Sequence, residues 1–165
     1  MFEKDVHSFA NPNDVVIKHL SLDLTVDFAV KKLSGTATLN IENKTGKNEL
    51  HLDANNLQIE KIILDDGTET KFSLANSVKY LGNDLKVEIK PTTQKISITY
   101  STTENALALQ WLDAQQTADG KFPFLFTQSQ AILARTWIPL QDSPGIKVTY
   151  DAIIHCPGDL MAVTA

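Results

Sequence analysis

The neutral amides of Gln128 and Gln130, two residues apart, and the chain's only arginine fall within one largely apolar stretch, Phe122 to Pro144, which reads FPFLFTQSQAILARTWIPLQDSP. If Phe124 to Gln130 is extended, alternate side chains share a face. Phe126, Gln128 and Gln130 then point one way, and Leu125, Thr127 and Ser129 the other. A glutamine carries an acceptor oxygen and two donor hydrogens. Two of them at the end of an apolar face suit the grip of a peptide backbone or an ammonium group. The plainer alternative is a strand end whose amides are satisfied locally. Gln128 and Gln130 are the candidate substrate-binding residues.

Other chemistries find less support. Zinc catalysis needs ligands at fixed spacing, such as two histidines four apart on a helix with a glutamate between them. The four histidines, His7, His19, His51 and His155, are isolated from one another in sequence, so no metal ligand is assigned. Ser129 lacks the G-x-S-x-G turn that exposes a serine nucleophile, and Cys156, beside Pro157, reads as a small packed residue rather than a thiolate. No catalytic residue is assigned either. Asn43-Lys44-Thr45 matches a glycosylation sequon at a strand end, and Asp65-Asp66-Gly67 reads as a turn rather than an acid–base pair.

The elements that would position the amides are strands. From Lys18 to Phe28, Leu20, Leu22, Leu24, Val26 and Phe28 alternate with polar residues, the pattern of a half-buried antiparallel strand. Leu33 to Glu42 repeats it after a short link, which predicts a hairpin. Further strands are expected at Glu49–Asp53, Leu57–Leu64, Thr70–Leu74, Val78–Leu81, Asp84–Lys90, Gln94–Ser101 and Lys147–His155. Thr102 to Lys121 loses the alternation and reads as a surface loop anchored by Trp111. Short strands between turn residues predict an all-β sandwich.

Bulk properties narrow the partners. With 165 residues, 42% hydrophobic and 21% charged, the chain has the composition of an ordinary globular domain. The net charge of −5 and the absence of a basic stripe argue against nucleic acid. No apolar run approaches the about 20 residues of a bilayer-spanning helix, so no membrane partner is expected. One cysteine excludes an intrachain disulfide. The first 14 residues have no apolar core of a secretory signal, which favours the cytoplasm, or the periplasm if a signal has been removed.

The segments VIKHLSLDLTVDF, LSGTATLNIE, ALQWLDAQQT, FPFLFTQSQAILARTWIPLQDSPGIKVTY and DLMAVTA, in that order, resemble the N-terminal domain of the zinc aminopeptidase family that includes aminopeptidase N. The likeness is strongest to its leukotriene hydrolase branch, with ALQWL and TQSQA the most specific stretches. It covers residues 15–165 and leaves 1–14 as an N-terminal extension. The resemblance implies a saddle-shaped, mostly antiparallel β-sandwich that lines the substrate cleft. Its partners would be the catalytic domain of the same parent chain and a peptide substrate. Zinc would sit in that catalytic domain, with no cofactor in this chain.

The family's G-x-M-E-N and H-E-x-x-H motifs are missing here, so the chain alone is expected to be inactive while its parent hydrolyses N-terminal residues from peptides. The resemblance places Gln128 and Gln130 near the peptide's amino end. Many relatives have a glutamate at the position of Gln130. It also sets Arg135 and Asp142 in the stretch leading to D-x-P-x-x-K, where a structural role is expected. Family domains run on past residue 165, so the domain is expected to be truncated, with an exposed sheet edge that self-associates. The rival reading is a free-standing β-sandwich module that binds protein or carbohydrate, with Trp111 as its contact.

Overall fold

The computed structural model describes residues 2–164. Its first two strands, β1 (Val15–Asp27) and β2 (Lys32–Asn43), pair antiparallel in the long hairpin that the alternation predicts. β1 begins earlier than expected. A bulge between Ile17 and His19 changes the phase of alternation, so Val15 and Ile17 face the core together with Leu20, Leu22 and Leu24.

Among the described residues nine strands follow: β3 (Glu49–Ala54), β4 (Gln58–Leu64), β5 (Glu69–Thr70), β6 (Phe72–Leu74), β7 (Asn83–Glu88), β8 (Lys95–Ser101), β9 (Leu109–Leu112), β10 (Phe124–Thr127) and β11 (Thr149–His155). They build a six-stranded sheet in the order β11-β1-β2-β8-β4-β5, a three-stranded sheet β3-β7-β6 and a two-stranded sheet β10-β9. Among the described residues every pairing is antiparallel except β1 with β11.

The two larger sheets share one core. Leu22 and Leu24 of β1, Leu39 of β2, Ile62 of β4 and Ile96 and Ile98 of β8 pack with Leu50 and Leu52 of β3 and Leu85 and Val87 of β7. Each such side chain stabilises the fold by about 1.5–3 kcal/mol relative to exposure. Tyr100 is fully buried among them and donates its hydroxyl to the Trp137 carbonyl at 2.9 Å. Burial pushes its phenol pKa well above the ordinary range.

Three expectations are corrected. Thr70–Leu74 is two strands: Thr70 pairs with Ile62 in the large sheet, whereas Phe72 pairs with Val87 in the small one. Val78–Leu81 is a turn, because the amides of Leu81 and Gly82 both bond back to the Val78 carbonyl. Thr102–Lys121 contains β9 and a short 3-10 turn at Ala114–Gln116. Trp111 lies in β9, half-buried with its ring edge-on to Phe28 at 5.4 Å, which leaves it poorly placed as a binding contact.

Candidate functional site

β10 carries the amides at its end and is held from one side. Its residues Leu125 and Thr127 pair with Trp111 and Leu109 of β9. On that face Leu109, Trp111 and Leu125 pack with Leu33 and Ala106 into a second, smaller apolar cluster. The strand stops at Thr127, one ladder step short of the amides. Gln128 still donates its backbone N–H to the Ala108 carbonyl at 2.9 Å, and then the chain turns.

Both glutamines are exposed. They are not equivalent, contrary to a simple extended pairing. The Gln128 side-chain oxygen accepts the backbone N–H of Gln130 at 3.0 Å, so it braces the turn while its amide hydrogens remain available to other partners. Among the described residues no hydrogen bond engages the Gln130 side-chain amide. Ser129 faces inward, as alternation implies, and accepts the indole N–H of Trp137 at 3.1 Å. The Gln130–Ala131 peptide is cis.

Behind the turn, the chain is anchored through Leu133 and Thr136. The Leu133 N–H bonds to the Ser129 carbonyl at 2.9 Å, and the Thr136 hydroxyl accepts the Ala108 N–H at 3.0 Å while donating to the Leu133 carbonyl at 2.7 Å. The 3-10 turn Ala134–Thr136 places Arg135 wholly inside the protein. Its guanidinium donates to the Asp142 carboxylate at 3.0 Å, the Leu81 carbonyl at 2.9 Å, the His7 carbonyl at 2.9 Å and the Asp142 carbonyl at 2.8 Å. Arg135 and Asp142 thus have the structural role expected of them.

Asp53, also fully buried, lies 3.5 Å from the guanidinium. It accepts from the Ser8 hydroxyl at 2.6 Å and from the backbone amides of Phe9 and Asp142, each at 2.8 Å. Burial pushes its carboxyl upward, and these donors and Arg135 pull against that shift. Residues 7–9 are therefore part of the scaffold: His7, Ser8 and Phe9 complete the Arg135–Asp53 network. Asp5 adds a bond from the Ser143 hydroxyl at 2.6 Å, the main cause of its lowered carboxyl pKa. Sequence periodicity carries no signal for these contacts, because they are made by irregular backbone.

A cavity of about 1010 Å³ lies between this N-terminal segment and the Ser143–Ile146 loop, beside His51. Neither Gln128 nor Gln130 lines it. The amides sit instead on an open face. Among the described residues no group of three or more His, Cys, Asp or Glu could hold a metal ion, so the donor set does not fit a zinc site. His19 contacts Thr149 at 2.7 Å and Asp151 at 2.6 Å, a hydroxyl–imidazole–carboxylate chain that sequence spacing did not reveal. It straddles the β1–β11 seam on the exposed sheet face.

Comparison with known proteins adds the following. Residues 16–165 match the profile described as the peptidase M1 N-terminal domain. A leukotriene A-4 hydrolase homolog of Botryotinia fuckeliana is 36% identical over 96% of this chain and 26% of its own length. A leucine aminopeptidase 2 of Sclerotinia sclerotiorum is 37% identical over 96% of this chain and 27% of its own length. Among solved structures, yeast LTA4 hydrolase in complex with bestatin superimposes with a TM-score of 0.87 at 33% identity, over 94% of this chain and 25% of that one. An M1 zinc metallopeptidase of Deinococcus radiodurans has the same fold, with a TM-score of 0.67 at 18% identity over 90% of this chain and 34% of that one. The chain spans about a quarter of the length of the curated relatives it matches.

Proposed function

The chain belongs to the peptidase M1 N-terminal domain family, and on that premise we propose that it walls one side of a substrate cleft and holds the amino-terminal residue of a peptide through Gln130, with Gln128 as its brace. The rest of the parent chain supplies the catalytic domain and its zinc, as the relatives' names suggest. This chain's contribution is position: a substrate held in one orientation reacts faster because that ordering precedes the chemical step.

The observation that carries the reading is the state of the two amides. Gln130 is exposed, its backbone is fixed by Gln128, and the turn behind it is tied to the buried Arg135. A side chain on a rigid support with its hydrogen-bonding capacity unspent is built to meet something outside the chain. An amide oxygen offers an ammonium group a dipole rather than a full charge, and charged hydrogen bonds are about twice as strong as neutral ones. Selectivity for a free α-amine should accordingly be weaker than with glutamate at this position.

The test uses the full-length parent. Gln130→Leu should lower kcat/KM on a peptide substrate on the order of tenfold, the loss expected for one hydrogen bond, with the unfolding midpoint unchanged. Unaltered kinetics in a folded variant would remove Gln130 from the site. Gln130→Glu should instead sharpen the preference for substrates with a free amine over N-acetylated ones.

A further inference from the structure

Ser129 stands between the two amides, and both of its polar ends are held from behind. Its hydroxyl accepts the Trp137 indole N–H at 3.1 Å, and its carbonyl accepts the Leu133 N–H at 2.9 Å. Ser129 is half-buried, whereas Gln128 and Gln130 on either side are exposed. The indole is itself fixed. The Trp137 ring packs against both apolar clusters, and the Trp137 carbonyl accepts the hydroxyl of the fully buried Tyr100 at 2.9 Å. Tyr100 belongs to β8, an interior strand of the six-stranded sheet. A line of contacts thus runs from the main core to the point between the glutamines.

A half-buried indole N–H takes an acceptor wherever one is in reach. Here the acceptor lies between the amides, so the same bond sets their direction: with Ser129 drawn inward, its neighbours face out. The brace from Gln128 to the Gln130 N–H is exposed, and water competes for both groups. The Ser129–Trp137 bond is partly buried, where a lower dielectric strengthens it. Because the ring is already packed, little further ordering opposes that bond. We infer that Ser129 and Trp137 are positioning residues for the peptide's amino end, acting without touching it by holding Gln130 at a fixed place on the cleft wall. This rests on the reading of Gln130 as the group that meets the substrate. Without the Ser129 hydroxyl, Gln130 keeps its amide but stands on a looser turn, and a small displacement of a group that orients substrate lowers the rate.

A double-mutant cycle in the full-length parent separates this role from a merely structural one. Ser129→Ala, and Trp137→Phe, which keeps an aromatic ring but removes the N–H, should each lower kcat/KM on a peptide substrate roughly three- to tenfold. Placed on top of Gln130→Leu, neither should lower it further, because residues that act through one another are not additive. Hydrogen exchange of the peptide spanning Gln130, read by mass spectrometry, should quicken in Ser129→Ala. Equal kinetic losses with and without Gln130, or unchanged exchange in Ser129→Ala, would overturn the inference. Unchanged turnover in both single variants beside an impaired Gln130→Leu would remove the positioning role alone. Full turnover in Gln130→Leu would instead remove the amide site on which that role depends.

Discussion

At the scale of single residues, Arg135 holds the site in place without touching its open side. It is fully buried and reaches across the chain, to a carbonyl 128 residues away at His7 and to one 54 residues away at Leu81. Removing it would leave the Asp142 carboxylate and the carbonyls of His7, Leu81 and Asp142 without their guanidinium donor, and the buried Asp53 without its counter-charge. Breaking a buried pair in this way costs about 3–5 kcal/mol, a large share of the about 5–15 kcal/mol that holds an ordinary domain together. Arg135→Met should therefore lower the unfolding free energy measured by urea titration by that amount. Arg135→Lys should rescue little, because an ammonium cannot reproduce the planar fork that meets Asp142 and the carbonyls together. A small loss for Arg135→Met would show that the network contributes little. Sequence pointed to Arg135 as a lone cation in an apolar stretch. It could not point to Asp53, His7 or Leu81, since nothing local links them.

At the scale of elements, the β1–β2 hairpin was legible because one face is buried and the other wet, so polarity alternates at the pleat's own period. The same hairpin depends on one residue whose importance its polarity does not show. Gly35 has a φ of +150°, and a Cβ there would lie 2.0 Å from the Asp23 carbonyl oxygen. Gly35→Ala must push two paired strands apart. The expected loss exceeds about 1 kcal/mol, which for a chain of this size lowers Tm by at least roughly 2–4 °C, measurable by circular dichroism. An unchanged Tm would mean that the strands accommodate the methyl group. The division of Thr70–Leu74 between sheets was not legible, because alternation runs through a corner unchanged while the hydrogen-bonding partner switches. Val78–Leu81 misled for the opposite reason: it has strand-like residues, but Tyr80 at φ +69° closes a turn.

At the scale of the whole molecule, β11 has a strand on one side only among the described residues. It is joined to β1 by the single parallel ladder, helped by contacts of His155 with Asp23 at 2.8 Å and of His19 with Asp151 at 2.6 Å. These surface pairs contribute little on their own. An edge strand recruits other strands unless charge or shape prevents it, and Ile153 on β11 is 58% exposed. The 165-residue chain should accordingly self-associate as its concentration rises in analytical ultracentrifugation, and Ile153→Lys should return it to monomer. A wild-type chain that sediments as a monomer throughout would refute edge pairing.

The division between sequence and tertiary structure follows the range of the forces involved. Strand identity, the first hairpin and the all-β class depend on which side of each residue meets water, and that is written in local polarity; the specific stretches ALQWL and TQSQA carried the family likeness. The inequality of the two glutamines, the enrolment of residues 7–9 in the scaffold and the line of contacts from Ser129 through Trp137 to Tyr100 depended on tertiary structure. Each is set by where irregular backbone ends in space relative to groups distant in the chain, and only the closed fold brings those groups together.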